Sequence, residues 1–100
     1  MKDIYISGKI TGTGDTYKLK FSEAENRLKT QGYTVLNPST LPKGLLNEAY
    51  MPMCLSMLNQ ADEILMLDGW ENSKGAMIEL LFAEYQNKKV TYEMKGFTTT

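Results

Sequence analysis

The chain contains no histidine and a single cysteine, Cys54. An internal disulfide is therefore excluded, as are zinc sites built from cysteine and histidine and nucleophile pairs of the Ser-His or Cys-His kind. Apolar runs reach only four residues, as at 64–67, whereas a membrane-spanning helix needs about 20. We expect no metal and no cofactor, so any catalysis must come from carboxylates, hydroxyls, backbone amides or the lone thiol.

The charge balance also lacks a basic surplus. Eleven Lys and Arg against twelve Asp and Glu leave a formal net charge of −1, whereas proteins that bind nucleic acids concentrate positive charge against phosphates. The first residues include Lys2 and Asp3 and then a strand-like run, so no signal-peptide core is expected there. We expect a cytoplasmic protein that binds a small molecule and has neither a nucleic acid polymer nor a membrane as its partner.

Strand and helix patterns alternate along the 100 residues, a length that fits one domain. Short β-prone runs predict strands at 2–7, 33–36, 63–67 and 89–93. Helices are predicted from an Asp15 or Thr16 cap to Gly32, from about 48 to 61, and from a Ser73 cap to about 87. Pro52 is tolerated chiefly in a first turn, which favours a later start of the second helix, near Met51.

This order predicts a single α/β domain over residues 1–100. Its expected architecture is a flavodoxin-like (Rossmann-like) three-layer sandwich, with about four parallel strands in the order 2-1-3-4 and helices on both faces. Ligands of such sheets bind beyond the carboxyl ends of the strands, where the winding reverses. That point lies between the first and third strands, so loops 7–15 and 68–75 are expected to face each other.

The first of these loops is rich in glycine and precedes a helix. Exposed amides at a helix start favour an anion, with Lys9 as a possible contact, although the loop matches neither a Walker loop nor GxGxxG. A flexible connector with a solvated lysine explains it equally well. Tyr5 and Trp70 could stack on a nucleobase, or simply fill the core.

The second loop offers a hydroxyl, a glycine and a carboxylate at the start of a helix. Ser73 could be a helix cap alone. Gly75 within the first turn costs up to about 1 kcal/mol relative to alanine, which indicates close approach of a ligand or of a neighbouring backbone. Glu79 is a polar exception on a largely apolar helix. Spacing alone favours a solvent-facing position for Glu79 over a place in a site.

Five segments together resemble the nucleoside 2-deoxyribosyltransferase superfamily. They are residues 4–8, the Gly32-Tyr33-x-Val35 strand, Asn37-Pro38, Ala61-Asp62, and Ser73-x-Gly75-Ala76-x-x-Glu79. The run at 69–76 is similar to a short bacterial and phage branch of that superfamily. The resemblance extends from Lys2 to about Val90.

The resemblance implies a covalent mechanism in which Glu79 attacks the anomeric carbon of a nucleoside or nucleotide. Proximity to a helix N-terminus would keep this carboxylate ionised. Ser73, where transferases tend to carry aspartate, implies a 5′-phosphate on the ligand. The phosphate would be held by Ser73 and loop 8–14, and the base by Trp70 or Tyr5. The substrate-binding residues expected in all are Tyr5, Ser7, Gly8, Lys9, Asp68, Trp70, Ser73 and Gly75.

The superfamily's second acid falls on Cys54, and a thiol is a poor acid for protonating the departing base. Asp62, Asp68 or Glu71 could take this role, with Asp62 as the catalytic partner we assign to Glu79. Alternatively the base leaves unassisted, or the protein binds a nucleotide without cleaving it. An N-glycosidic hydrolase or transferase and a noncatalytic nucleotide-binding module therefore both stay open. A homodimer or higher homo-oligomer is expected, with the Met-rich segment 51–58 at its interface.

Overall fold

The computed structural model describes residues 2–10 and 12–93. Its four strands are β1 (Asp3–Ser7), β2 (Thr34–Leu36), β3 (Glu63–Met66) and β4 (Lys89–Tyr92). They form one parallel sheet in the order β2-β1-β3-β4. The helices are α1 (Thr16–Thr30), α2 (Asn47–Gln60) and α3 (Lys74–Tyr85), with short 3-10 helices at Pro38–Thr40 and Trp70–Asn72. The predicted flavodoxin-like α/β sandwich and its strand order are confirmed.

The sheet separates two apolar clusters because successive side chains of a strand point to opposite faces. Tyr5 packs with α2 and α3 on one face, whereas Ile4 and Ile6 pack with α1 on the other. All four residues of β3 are buried, as its nearly continuous apolar run predicts for an inner parallel strand. The end of β1 therefore presents Ser7 to the α2 and α3 side, where it meets the site described below.

The α1 side is built on one helical stripe. The buried residues of α1 recur at helical spacing: Tyr17, Phe21, Ala24 and Leu28. A Cβ placed on Gly8 would lie 3.1 Å from the Cβ of Leu67 and 3.3 Å from the ring of Phe21. Close packing against this stripe therefore explains the glycine after β1.

The predicted cap position of α1 and the predicted start of α2 near residue 48 are confirmed, but the capping hydrogen bond of Asp15 and the later start of α2 near Met51 are wrong. Asp15 occupies the cap position of α1, but its side chain makes no capping hydrogen bond, because the carboxylate pairs with Lys43 instead. Helix α2 begins at Asn47, well before Met51, and contains Pro52. The proline removes one backbone donor near the start of the helix, while Cys54 and Leu58 of the same helix pack in the core and hold it on the sheet.

The helices between residues 12 and 93 fall short of a membrane span in length or in hydropathy.

Candidate functional site

Glu79 is buried against the carboxyl-terminal half of β1. Only 5% of the residue is exposed. The Tyr5 hydroxyl donates to its Oε2 at 2.9 Å, and the Ser7 hydroxyl donates to its Oε1 at 2.6 Å. The solvent-facing position favoured by spacing is therefore wrong, because α3 turns this face towards the sheet. Both carboxyl oxygens are held in a fixed orientation by donors from a single strand.

The environment of Glu79 opposes its ionisation on balance. Burial raises the pKa of the carboxyl above its ordinary value, and hydrogen bonds from Ser7 and Tyr5 offset this in part. Glu79 lies beyond the first turn of α3, which carries no acidic residue. The helix N-terminus therefore does not lower the pKa of this group below its ordinary value, since desolvation outweighs the favourable contacts.

Replacing Glu79 with glutamine is expected to stabilise the fold progressively more as pH rises. The folded state holds the Glu79 proton more tightly than the unfolded state, so the associated stability is present at low pH and lost as pH rises through the raised pKa. Glutamine cannot ionise and escapes this loss. Urea unfolding of both proteins between about pH 4 and pH 8 measures the difference. A difference that stays constant across this range would contradict the assigned burial effect.

Cys54 completes the polar cluster around the carboxyl. The fully buried thiol lies beside the hydroxyls of Tyr5 and Tyr50 and the carboxyl of Glu79. Burial raises the pKa of the thiol and those of both tyrosines, so all three groups carry protons at neutral pH. Glu79 is thus the acceptor at the centre of a set of protonated neighbours.

Tyr50 connects this cluster to a cavity of about 460 Å³, named here the β1–β2 cavity. The cavity lies between the loops that follow β1 and β2, at the carboxyl edge of the sheet. Its wall combines apolar and aromatic side chains with the ion pair between Asp15 and Lys43. The lining residues are Ile10, Gly12, Gly14, Asp15, Tyr17, Pro38, Ser39, Leu41, Lys43, Gly44, Leu45 and Tyr50. Aromatic walls with a few polar groups suit a flat heterocyclic ligand.

The predicted meeting of loops 7–15 and 68–75 occurs at a second, smaller cavity of about 110 Å³, the β1–β3 cavity. Lys9 and Thr13 come from the first loop, and Asp68 and Asn72 from the second. The prediction of a crevice at the reversal of winding is therefore correct. The wider β1–β2 cavity on the other side of β1 was missed.

Asp62 lies far from Glu79. It precedes β3 at the amino-terminal edge of the sheet, where its carboxylate accepts a hydrogen bond of 3.0 Å from the Asp3 backbone. Ser7 is four residues further along β1, about 13 Å away along the strand. The assignment of Asp62 as catalytic partner of Glu79 is therefore not supported. Its side chain instead accepts a hydrogen bond from the backbone at the start of β1.

Two residues of the second loop have structural reasons for their identity. The Ser73 Oγ accepts a hydrogen bond of 3.1 Å from the Ala76 amide, as a helix cap does. A Cβ on Gly75 would lie 3.2 Å from the terminal methyl of Met51. The close neighbour of Gly75 is thus a side chain of α2 and not the ligand or backbone that was predicted, and this contact packs α2 against the start of α3.

The two aromatic residues expected to hold a base stand elsewhere. The Tyr5 ring is fully buried in the core, so it orients Glu79 and offers no surface for stacking. Trp70 packs against Tyr92, with ring centroids 5.7 Å apart. The rings of Trp70 and Tyr92 line a third cavity of about 540 Å³ beyond β3 and β4. Asp68, Glu71 and Glu93 also line this cavity.

Comparison with known proteins assigns the chain to a family. The family model described as a domain of unknown function, DUF4406, matches residues 2–92. The chain belongs to the DUF4406 family. The match includes all four strands, the Glu79 cluster and every lining residue of the β1–β2 and β1–β3 cavities. No curated protein matches the sequence.

In this DUF4406 chain the residues missed by sequence reasoning are Tyr50, Tyr17 and Lys43. Tyr17 also belongs to the buried face of α1, and Lys43 lies in the connection between the 3-10 helix Pro38–Thr40 and α2. The predicted strand order could have indicated the β1–β2 cavity. Because β2 lies beside β1, the loop after β2 lies next to loop 7–15. The spacing of Tyr50 and Cys54 on α2 also places them on one helix face.

Proposed function

We propose that the protein is an N-glycosidic bond hydrolase or deoxyribosyltransferase that acts on a nucleoside 5′-monophosphate or related nucleoside. We further propose a relationship to the nucleoside 2-deoxyribosyltransferase superfamily and a cytoplasmic location. The supporting observation is the buried Glu79 carboxyl, held by Tyr5 and Ser7 at the edge of a parallel sheet where ligands bind. A carboxylate fixed through both oxygens is pre-organised for attack at one point.

The reaction divides into two displacements at the anomeric carbon. A Glu79 oxygen forms a bond to C1′ as the bond between C1′ and the base nitrogen breaks, and the base leaves with that electron pair and takes a proton from solvent. Water, or a second base in a transferase, then attacks C1′, and the bond to Glu79 breaks. The carboxylate is regenerated and the incoming nucleophile loses its proton. Retention of configuration follows from the two inversions.

The ligand would extend from the β1–β2 cavity towards the start of α3. The aromatic walls of that cavity suit the base, and Tyr50 contacts both the cavity and the Glu79 cluster. Lys9 in loop 8–14 and Asn72 beside Ser73 line the same small cavity, which supports a phosphate grip formed by loop 8–14 and Ser73. The sugar would then lie nearest Glu79.

A second function, nucleotide binding without cleavage, is favoured by one specific observation. Cys54 stands beside Glu79 where the resemblance implies an acid, and burial keeps its thiol protonated. Asp62 does not replace that acid, because it lies at the other edge of the sheet. In this case the same crevice would sequester or sense a nucleotide, and the buried Glu79 would act as a hydrogen-bond acceptor only.

Incubation of the purified protein with a panel of nucleosides and nucleoside 5′-monophosphates distinguishes the two functions. Chromatography detects free base, and calorimetry of the same ligands detects binding. Base release from one member of the panel supports the enzyme. Binding without base release supports the sequestering module, and neither binding nor release contradicts both.

Changing Ser73 to aspartate separates its capping role from phosphate recognition. Aspartate also caps helices well, so we expect the free energy of unfolding to change by less than about 1 kcal/mol. Its negative charge repels a phosphate, and the affinity for monophosphates should fall about 10-fold or more, while that for nucleosides is retained. Calorimetry with matched nucleoside and nucleotide pairs measures this. Equal loss for both ligands would contradict a phosphate contact at Ser73.

A further inference from the structure

One face of α3 is apolar and exposed although the helix is already packed against the sheet. The buried side of α3 consists of Ala76, Glu79, Leu80 and Ala83. The opposite side, named here the α3 outer face, consists of Lys74, Met77, Ile78, Leu81, Glu84 and Tyr85. At about 100° per residue these six side chains fall within an arc of about 120°.

The apolar side chains of the α3 outer face are exposed to solvent. Leu81 is 66% exposed and Tyr85 is 87% exposed, and Met77 and Ile78 are each nearly half exposed. Contiguous exposed apolar surface with charged residues at its rim marks interaction sites. The core does not use these side chains, so they are free to contact another molecule.

The Met-rich segment of α2, expected at a subunit interface, is largely occupied within the protein. Met57 packs against the core cluster, and the methyl of Met51 lies against Gly75. Met53 alone among the methionines of that segment is exposed. The interface predicted at 51–58 is therefore not supported, and the unpartnered apolar surface lies on the neighbouring helix.

The charges at the ends of the α3 outer face identify what fits it. Lys74 lies five residues before position 79 and Glu84 five residues after it, while Met77 and Leu81 lie two residues to either side. A second α3 running antiparallel about a two-fold axis at position 79 would bring opposite charges together at both ends. Within the described residues neither Lys74 nor Glu84 has an ion-pair partner in the same chain.

We propose that the α3 outer face is a homodimer interface in which two α3 helices pack antiparallel about a two-fold axis. Met77 of each chain contacts Leu81 of the other, and Lys74 of each chain pairs with Glu84 of the other. Such an interface is self-complementary, as a two-fold dimer requires. The proposal does not rest on the proposed function, since it uses none of the residues of the Glu79 cluster.

Changing Leu81 to glutamate tests the location of the interface. We expect sedimentation of the wild-type protein at about 50 µM to give a dimer, and the variant to raise the dissociation constant about 100-fold or more. The matched control is Leu19 to glutamate on α1, since Leu19 is 64% exposed against 66% for Leu81. A monomeric wild type, a dimeric Leu81 variant, or dissociation caused by the Leu19 variant would each overturn the proposal.

Exchange of the terminal charges tests the antiparallel register. Lys74→Glu alone and Glu84→Lys alone each place like charges at both ends of the interface, and each should raise the dissociation constant about 10-fold. The double variant restores opposite charges and should return close to the wild-type value. Failure of the double variant to recover would contradict this pairing, and circular dichroism verifies that each variant is folded.

Discussion

Replacing Glu79 with glutamine is expected to lower the rate of base release by about 10³-fold or more, because the amide cannot form the bond to C1′. Ligand binding should change much less. Glutamine has nearly the same volume, and its carbonyl oxygen can still accept from the Tyr5 or Ser7 hydroxyl. Chromatographic assay of released base, with calorimetry of the same nucleotide, measures both quantities for the variant and the wild type.

Glu63 provides a matched control for this substitution. It is also a buried glutamate, 3% exposed, and accepts a hydrogen bond of 3.0 Å from the Tyr33 hydroxyl. It starts β3, at the opposite end of the sheet from the β1–β2 and β1–β3 cavities. Glu63→Gln should leave base release within a few-fold of wild type. Equal loss in both variants would indicate damage to the fold and contradict a special role for Glu79.

Replacing Phe21 with alanine is expected to reduce the free energy of unfolding by about 3–5 kcal/mol, the cost of emptying a large buried site. Phe21 is 1% exposed and lies edge-on to Tyr17, with ring centroids 6.2 Å apart. Its ring also packs near Gly8 at the end of β1. Small domains are only marginally stable, so a loss of about 3–5 kcal/mol would remove a large part of the free energy of unfolding.

Leu19 is the control for Phe21 on the same helix. It is mostly exposed, so Leu19→Ala should change the free energy of unfolding by less than about 0.5 kcal/mol. Urea denaturation monitored by circular dichroism gives both values. A loss below about 1 kcal/mol for Phe21→Ala would contradict the claim that packing of Phe21 between α1 and the sheet stabilises the fold.

The fold was predictable because its signals are local and agree with one another. The runs of β1 and β3 are short and β-prone, the buried residues of α1 recur at helical spacing, and the alternation of strands and helices leaves few topologies. Helix starts were less predictable. Asp15 has the right chemistry for a cap, but its carboxylate pairs with Lys43, a residue 28 positions away. No local pattern can anticipate such a contact.

The site was predictable only in part. Helix α3 is apolar around most of its circumference, so periodicity could not tell that Glu79 faces the sheet while Leu81 faces outwards. The resemblance selected Glu79, Tyr5 and Ser7, and the structure brings these three together. Asp62 precedes β3 and lies at the amino-terminal edge of the sheet. Trp70 lies at the carboxyl edge but packs against Tyr92 at the end of β4, and no local pattern predicts that contact.

The most direct test of the central claim is the mass of the protein during turnover. The protein is mixed with the nucleoside monophosphate that releases base, quenched rapidly in acid and digested for mass spectrometry. We predict an added mass equal to one pentosyl phosphate on the peptide that contains Glu79, with no addition in Glu79→Gln. Base release accompanied by an adduct on another residue, or by no adduct at any quench time, would contradict covalent catalysis by Glu79.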